Sequence, residues 1–204
     1  MWENISKIGQ KLVSSGLVEA NFGNLSVRSK TGHSFVITKT KTALDEIQKD
    51  SVIEVPIEME TEISNETASA IEKTASSETK VHRRIYQESD AGAIVHAHCP
   101  HAVVLSLLEH DAGNTSVIPI DSEGKLFLKK IPIVSGGIGS EELAKNAAMA
   151  FKNGYKGIII LGHGTIAVGE TLKEAYQITA QLEHTCKIKY MVDVAKNTFT
   201  DFKK

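Results

Sequence analysis

The chain has 204 residues, 41% of them apolar and 24% charged, with a formal net charge of -2. That balance excludes wholesale disorder, and the length fits one domain, residues 1–204, around a single core. The lack of basic excess gives no electrostatic reason to expect nucleic acid or an anionic membrane, although a small anion needs only a local cluster of donors.

Ile5, Ile8, Leu12 and Val13 recur at helical spacing and Gly16 follows, which predicts an amphipathic helix over 3–15. Asn24–Arg28 alternates, Ser29-Lys30-Thr31-Gly32 turns, and Ser34–Thr38 runs on, the pattern of a β-hairpin. Val52–Val55 reads as a short strand. Residues 57–75 are acidic and rich in Thr, Ser and Glu, a solvated loop or marginal helix without assigned chemistry. Residues 79–88 read as a helix, Ala91–His98 as a strand, and Ala102–Leu108 as a buried helix after Pro100. Val117–Ile120 and Leu126–Leu128 flank Asp121-Ser122-Glu123-Gly124, which suggests a second hairpin. An Ala-rich helix over 140–152, a strand over Gly157–Gly162 and a helix over 172–194 opened by Thr171 and Glu174 complete the pass.

Strands joined by hairpins thus alternate with helices, the signature of an α/β domain with a mixed sheet. The longest aliphatic run, Ile158–Leu161, is far too short to span a bilayer. Cys99 and Cys186 form no CxxC pair, and Met1-Trp2-Glu3-Asn4 opens no secretory signal, so reduced thiols in a cytoplasmic protein are the expectation.

Residues two apart in a strand share a face, so His96 and His98 project together and can share one tetrahedral metal. An isolated HxH is a weak signal. His163 strengthens it, because it follows the apolar run Ile158–Leu161 and also stands at a strand end. Three histidines with a fourth position left for water or substrate match a catalytic zinc site. The competing reading makes His163 a turn residue bonded to a carbonyl. Cys99 has the wrong parity to join that face, and Pro100 breaks the strand before His101, so both stand behind the ligands at best. His33, His82, His110 and His184 have no partner at ligand spacing and read as surface or structural.

Five segments in chain order resemble the class II aldolase/adducin family, whose members include L-fuculose-phosphate aldolases and L-ribulose-5-phosphate 4-epimerases. Phe22-Gly23-Asn24-Leu25-Ser26-Val27-Arg28 is similar to that family's GN-x-S-x-R loop, and Ile37-Thr38-Lys39-Thr40-Lys41 to its TPTG turn. Ser76-Ser77-Glu78 matches its SSE motif, and Val95-His96-Ala97-His98 with Gly162-His163-Gly164 its two metal segments. The resemblance runs from about residue 5 to residue 195.

What the resemblance implies is concrete. The fold would be a three-layer α/β/α single domain around a mixed, mostly antiparallel sheet. His96, His98 and His163 would hold Zn2+, with Glu78 as a fourth ligand in the resting enzyme and the catalytic carboxylate during turnover. Gly23, Asn24, Thr40, Lys41, Ser76 and Ser77 would bind the substrate phosphate through close backbone approach, amide and hydroxyl donors and an ammonium. The reaction would be retro-aldol cleavage of a ketose 1-phosphate of the L-fuculose 1-phosphate kind to dihydroxyacetone phosphate and an aldehyde. A sugar-phosphate 4-epimerase shares that chemistry and is the nearest alternative, a methylthio-sugar-phosphate dehydratase shares the fold, and a non-catalytic adducin-like module would lose the ligands that this chain keeps. Two tyrosines that serve the aldehyde half in bacterial members have no counterpart, because residues 117–125 lack one and the chain stops at Lys204. A homotetramer with active sites between subunits is the expected assembly.

Overall fold

The structure is a computed structural model and describes residues 1–19, 22–58 and 65–201. Trp2–Ser14 forms α1, which turns Ile5, Ile8 and Leu12 inward as its periodicity predicts. Asn24–Arg28 (β1) and Ser34–Thr38 (β2) make the expected hairpin with Ser26 opposite Ile37, and Val52–Pro56 (β3) pairs with the outer side of β2. Within the segment read as loop or marginal helix, 59–64 lies outside the described residues, and Asn65–Thr74 is helical (α2). Thr79–Glu88 (α3), Ala93–Ala97 (β4) and Pro100–Asp111 (α4) follow. Then come Ser116–Val117 (β5), Ser122–Phe127 (α5), Ile131–Val134 (β6), Glu141–Lys152 (α6), Gly157–Ile160 (β7), Gly164–Gly169 (β8) and Leu172–Asp201 (α7).

The eight strands form a sheet in the order β3-β2-β1-β4-β8-β7-β6-β5, in which β6 and β7 run parallel and the other neighbours antiparallel. Helices cover both faces. Ala93, Val95 and Ala97 of β4 pack in one cluster with Ile5 of α1, Leu105 of α4 and Leu182 of α7. Ile94 points the other way, into a cluster with Val81 and Ile85 of α3 and Leu143 and Ala147 of α6. This is the expected three-layer α/β/α domain with a mixed, mostly antiparallel sheet. Its centre is β4, buried along its whole length and paired with β1 on one side and β8 on the other. Antiparallel pairing on both sides sets Asn24, at the start of β1, opposite His96, and brings the start of β8 beside the end of β4.

Two readings of the sequence need correction. The second hairpin does not form: β5 pairs instead with β6, and Ser122–Phe127 is a helix. Asp121 decides this, because its Oδ2 accepts the Gly124 N–H at 2.8 Å and so caps a helix, although Asp-Ser-Glu-Gly also suits a turn. The helix after Pro100 starts at Pro100 itself, the favoured first-turn position, and is only half covered, with Val104, Leu107 and Leu108 exposed. In addition, β6 and β8 carry no clear periodic signal and are legible only through their partners.

Candidate active site

The end of the sheet at β1, β4 and β8 gathers the candidate site residues. His96 is the last but one residue of β4, and His98 follows just past its end, on the same side. His163 sits in the turn joining β7 to β8, where its N–H donates to the Ile160 carbonyl at 3.0 Å. The turn reading of its backbone therefore holds, and its ring is nevertheless aimed at the other two. One nitrogen from each of the three imidazoles lies within 4.8 Å of the others. Glu78, the residue before α3, is 2% exposed and reaches the same point, with Oε2 3.0 Å from His96 Nε2 and Oε1 4.0 Å from His163 Nδ1.

The protonation pattern suits this cluster to a cation. His96 Nδ1 lies 2.9 Å from the Thr165 carbonyl, which can only accept, so the single proton of a neutral ring is on Nδ1. Its Nε2 then faces the Glu78 carboxylate at 3.0 Å and His98 Nε2 at 3.1 Å as a lone pair. Burial above all pushes His96 and His98 down to about 4, so neither ring is charged at neutral pH. Burial likewise lowers His163, with His96 second. His163 Nδ1 and Glu78 Oε1 are both buried without a hydrogen-bond partner. A carboxylate, the His96 Nε2 lone pair and two partnerless buried atoms that converge cost free energy unless a positive ion sits among them, so the set fits a divalent metal.

Two of the rings are held by different devices. The Thr165 carbonyl orients His96, whereas His98 is stacked flat on Phe22, with ring centroids 5.2 Å apart and planes 4° from parallel. Cys99 accepts from the Thr165 hydroxyl, and His101 faces away to Glu183. His82 is buried on α3.

Beside the cluster opens a pocket of about 270 Å³. All six positions read as phosphate-binding line it: Gly23, Asn24, Thr40, Lys41, Ser76 and Ser77. The β2 end and the segment before α3 are tied together there, with Thr40 N–H donating to the Thr74 carbonyl and Ser76 N–H to the Thr38 carbonyl. Gly23 has φ +81°, and a Cβ there would stand 2.5 Å from the His96 carbonyl, so only glycine lets this loop close over the end of β4. Lys41 adopts φ 61° without being glycine, a conformation that turns it into the pocket wall. Asn24 Nδ2 donates to Glu78 Oε2 at 2.9 Å, so it holds the carboxylate directly, a contact that its spacing did not disclose. Phe22, Lys39, Thr42 and Ile138 also line the pocket and were not singled out from the sequence. Phe22 and Lys39 lie within the motifs quoted above, and the Gly-Gly-Ile-Gly run around Ile138 was the signal for the last. Gly139 in that run has φ +65°, and a Cβ on it would meet the Ser77 carbonyl at 2.3 Å.

These features define a class: an α/β protein whose central strand end gathers three histidines and a glutamate, fit for a divalent metal, beside a small polar pocket. The chain belongs to the class II aldolase family, since the model of the "Class II Aldolase and Adducin N-terminal domain" matches residues 3–190. It is 30% identical over 184 residues to an L-fuculose phosphate aldolase of Methanocaldococcus jannaschii, covering 89% of this chain and 91% of that protein. A methylthioribulose-1-phosphate dehydratase of Persephonella marina is 29% identical over 84% of this chain and 80% of its own. Among solved structures, the L-fuculose-1-phosphate aldolase of Thermus thermophilus superposes with a TM-score of 0.82 at 31% identity, covering 96% and 95% of the two chains.

Proposed function

We propose that this chain is a metal-dependent aldehyde-lyase that cleaves a ketose 1-phosphate, of the L-fuculose 1-phosphate kind, to dihydroxyacetone phosphate and an aldehyde. The observation that carries the reading is the joining of two sites: the unsatisfied Glu78–His96–His98–His163 cluster opens onto the pocket lined by all six phosphate candidates. The aldolase relatives at 30% and 31% identity support the same substrate class.

In this reading His96, His98 and His163 hold a zinc ion, with Glu78 beside it. When bound, the metal supplies Lewis-acid polarisation of the substrate carbonyl and its neighbouring hydroxyl. The phosphate is held by the Gly23 and Asn24 loop, the hydroxyls of Thr40, Ser76 and Ser77, and the Lys41 ammonium. Ser76 and Ser77 stand before α3, whose first N–H groups favour an anion. Glu78 is the proton carrier. The C4 hydroxyl gives up its proton as the C3–C4 bond breaks and C4 becomes the aldehyde. Glu78, protonated once displaced by substrate, delivers a proton to C3, so that the net transfer is from the C4 hydroxyl to C3. Asn24 keeps Glu78 aimed at that carbon. None of the four tyrosines lines the pocket, so the group that takes the C4 hydroxyl proton as the C3–C4 bond breaks comes from another residue type or another subunit. A homotetramer is the assembly we favour: Val104, Leu107, Leu108, Ile118, Leu126 and Phe127 are exposed in the single chain, large apolar side chains that partner subunits would cover. A cytoplasmic location goes with this reading, and no described helix is long and apolar enough to cross a membrane.

A second reading has support of its own. The dehydratase relative also acts, by its name, on a ketose 1-phosphate, so the same pocket and metal would serve loss of water instead of carbon–carbon cleavage. Epimerisation of a ribulose 5-phosphate is the third outcome. The test is a panel of fuculose 1-phosphate, ribulose 5-phosphate and methylthioribulose 1-phosphate, with the metal content measured alongside. Release of dihydroxyacetone phosphate that depends on metal is the expected result. Water loss without aldehyde release would select the dehydratase, an epimer the epimerase, and no turnover with any of them would overturn the reading.

A further inference from the structure

The GN-x-S-x-R segment reaches well beyond the pocket. Asn24, Ser26 and Arg28 alternate along β1 and share one face, which looks onto α3. Each meets a residue of the Glu78–Tyr86 stretch, one helical turn further on each time. Asn24 Nδ2 donates to Glu78 Oε2 at 2.9 Å. Ser26 Oγ is 2.7 Å from His82 Nδ1 and 2.8 Å from the Tyr86 hydroxyl. Arg28 lies over the Tyr86 ring, 4.8 Å from its centroid, and its guanidinium donates to the Tyr86 and Ser89 carbonyls and the Ala91 carbonyl.

The spacing explains why three rungs fit. Two strand residues advance about 6.6 Å and four helical residues about 6.0 Å, so a strand and a parallel helix stay in step over two repeats to within roughly 1 Å. Arg28 also satisfies carbonyls at the C-terminal end of α3, which no intrahelical donor reaches. The helix is therefore fixed along its axis from end to end, and Glu78 stands at its N-terminal end. The middle rung is wholly buried: Ser26 and His82 are both 0% exposed. A buried serine–histidine pair is costly to build for packing alone, since apolar residues would fill the same space without polar atoms to satisfy.

We infer that Ser26, His82, Tyr86 and Arg28 are positioning residues that set the axial place of α3 against β1, and through it the Glu78 carboxylate at the three histidines. The inference rests on the role proposed for Glu78. Such a device has a purpose, because a misplacement of about 1 Å at a reacting group lowers turnover on the order of 100-fold.

The middle rung gives the test. Ser26→Ala and His82→Leu break it from opposite sides, while His82→Asn places an amide where Nδ1 stands and keeps the bond. For the metal-loaded variants, kcat and KM with the best ketose phosphate are measured, with bound metal, and the crystal structure of Ser26→Ala is determined. We expect kcat to fall roughly 10- to 100-fold in Ser26→Ala and His82→Leu, with KM within about threefold and metal content unchanged. His82→Asn restores kcat, and the Asn24–Glu78 separation in Ser26→Ala exceeds hydrogen-bonding reach, about 3.5 Å. If Ser26→Ala fails to fold, His82→Asn against His82→Gln decides, since Gln carries its amide beyond the reach of Ser26; equal turnover in the two overturns the inference. An unmoved Glu78 in Ser26→Ala overturns it as well and leaves the proposed function standing. A displaced Glu78 in a protein whose wild type turns over no ketose phosphate upholds the ladder and removes the proposed reaction instead.

Discussion

Two glutamate–histidine pairs flank the end of β4, and they behave in opposite ways. Glu183 of α7 accepts from the His101 ring, from the His101 backbone N–H and from the Ala102 N–H, so its carboxylate closes the first turn of α4 and both its oxygens are occupied. Glu78 also meets a histidine, His96, yet its Oε1 has no partner, the facing His96 nitrogen is a lone pair, and a pocket opens beside it. The first arrangement is complete within the protein. The second leaves buried polar atoms without partners, as a candidate cation site would, whereas the first is a finished cap.

The largest effect expected from this contrast is on metal removal. Chelation should abolish turnover and added Zn2+ restore it, and His163→Ala should behave as the chelated protein does, with metal content read by elemental analysis. Persistent turnover in the metal-free protein would erase the distinction between the two pairs. Glu78→Gln should come next, lowering kcat by about 10²- to 10⁴-fold while the three histidines still bind metal.

Acid should act on the Glu78 side through stability. Burial drives His82 to about 3, with His96 second, and burial takes His96 to about 4, whereas an unfolded chain titrates them near 6.5. Between those values the unfolded state binds more protons than the native one. The stability they contribute is therefore whole above about pH 6.5 and drains away as pH falls toward 3 to 4, at up to about 1.4 kcal/mol per pH unit for each ring. Denaturant midpoints of the metal-free protein should drop between pH 7 and pH 5, and Zn2+ should oppose the drop by holding His96 unprotonated. A flat profile would mean that these rings are not buried as described. Glu183→Gln should be the mildest, costing about 1–3 kcal/mol of stability with turnover within twofold of wild type. A large loss of turnover there would make the second pair functional as well.

Much of this was legible in the chain. His96 and His98 follow from a period of two, and the β1–β2 hairpin, α1, α3 and α6 follow from their own periodicities. Ordered motifs added the pocket, because Gly23, Thr40 and Ser76 are too common to be singled out one at a time. The helix over 122–127 was misread because Asp-Ser-Glu-Gly satisfies turn and cap rules alike, and only the Gly124 N–H partner separates them.

The sequence by itself determined the candidate ligand types, their parity on β4 and an α/β domain with a mixed sheet, since these depend on local period and side-chain chemistry, while the layering came with the family resemblance. Tertiary structure alone decided which glutamate meets which histidine. Asn24 opposite His96, Glu78 beneath Asn24 and His163 across the gap are separated by up to 139 positions in the chain. Strand pairing and helix register bring them together, and neither is encoded in the neighbours of any one residue.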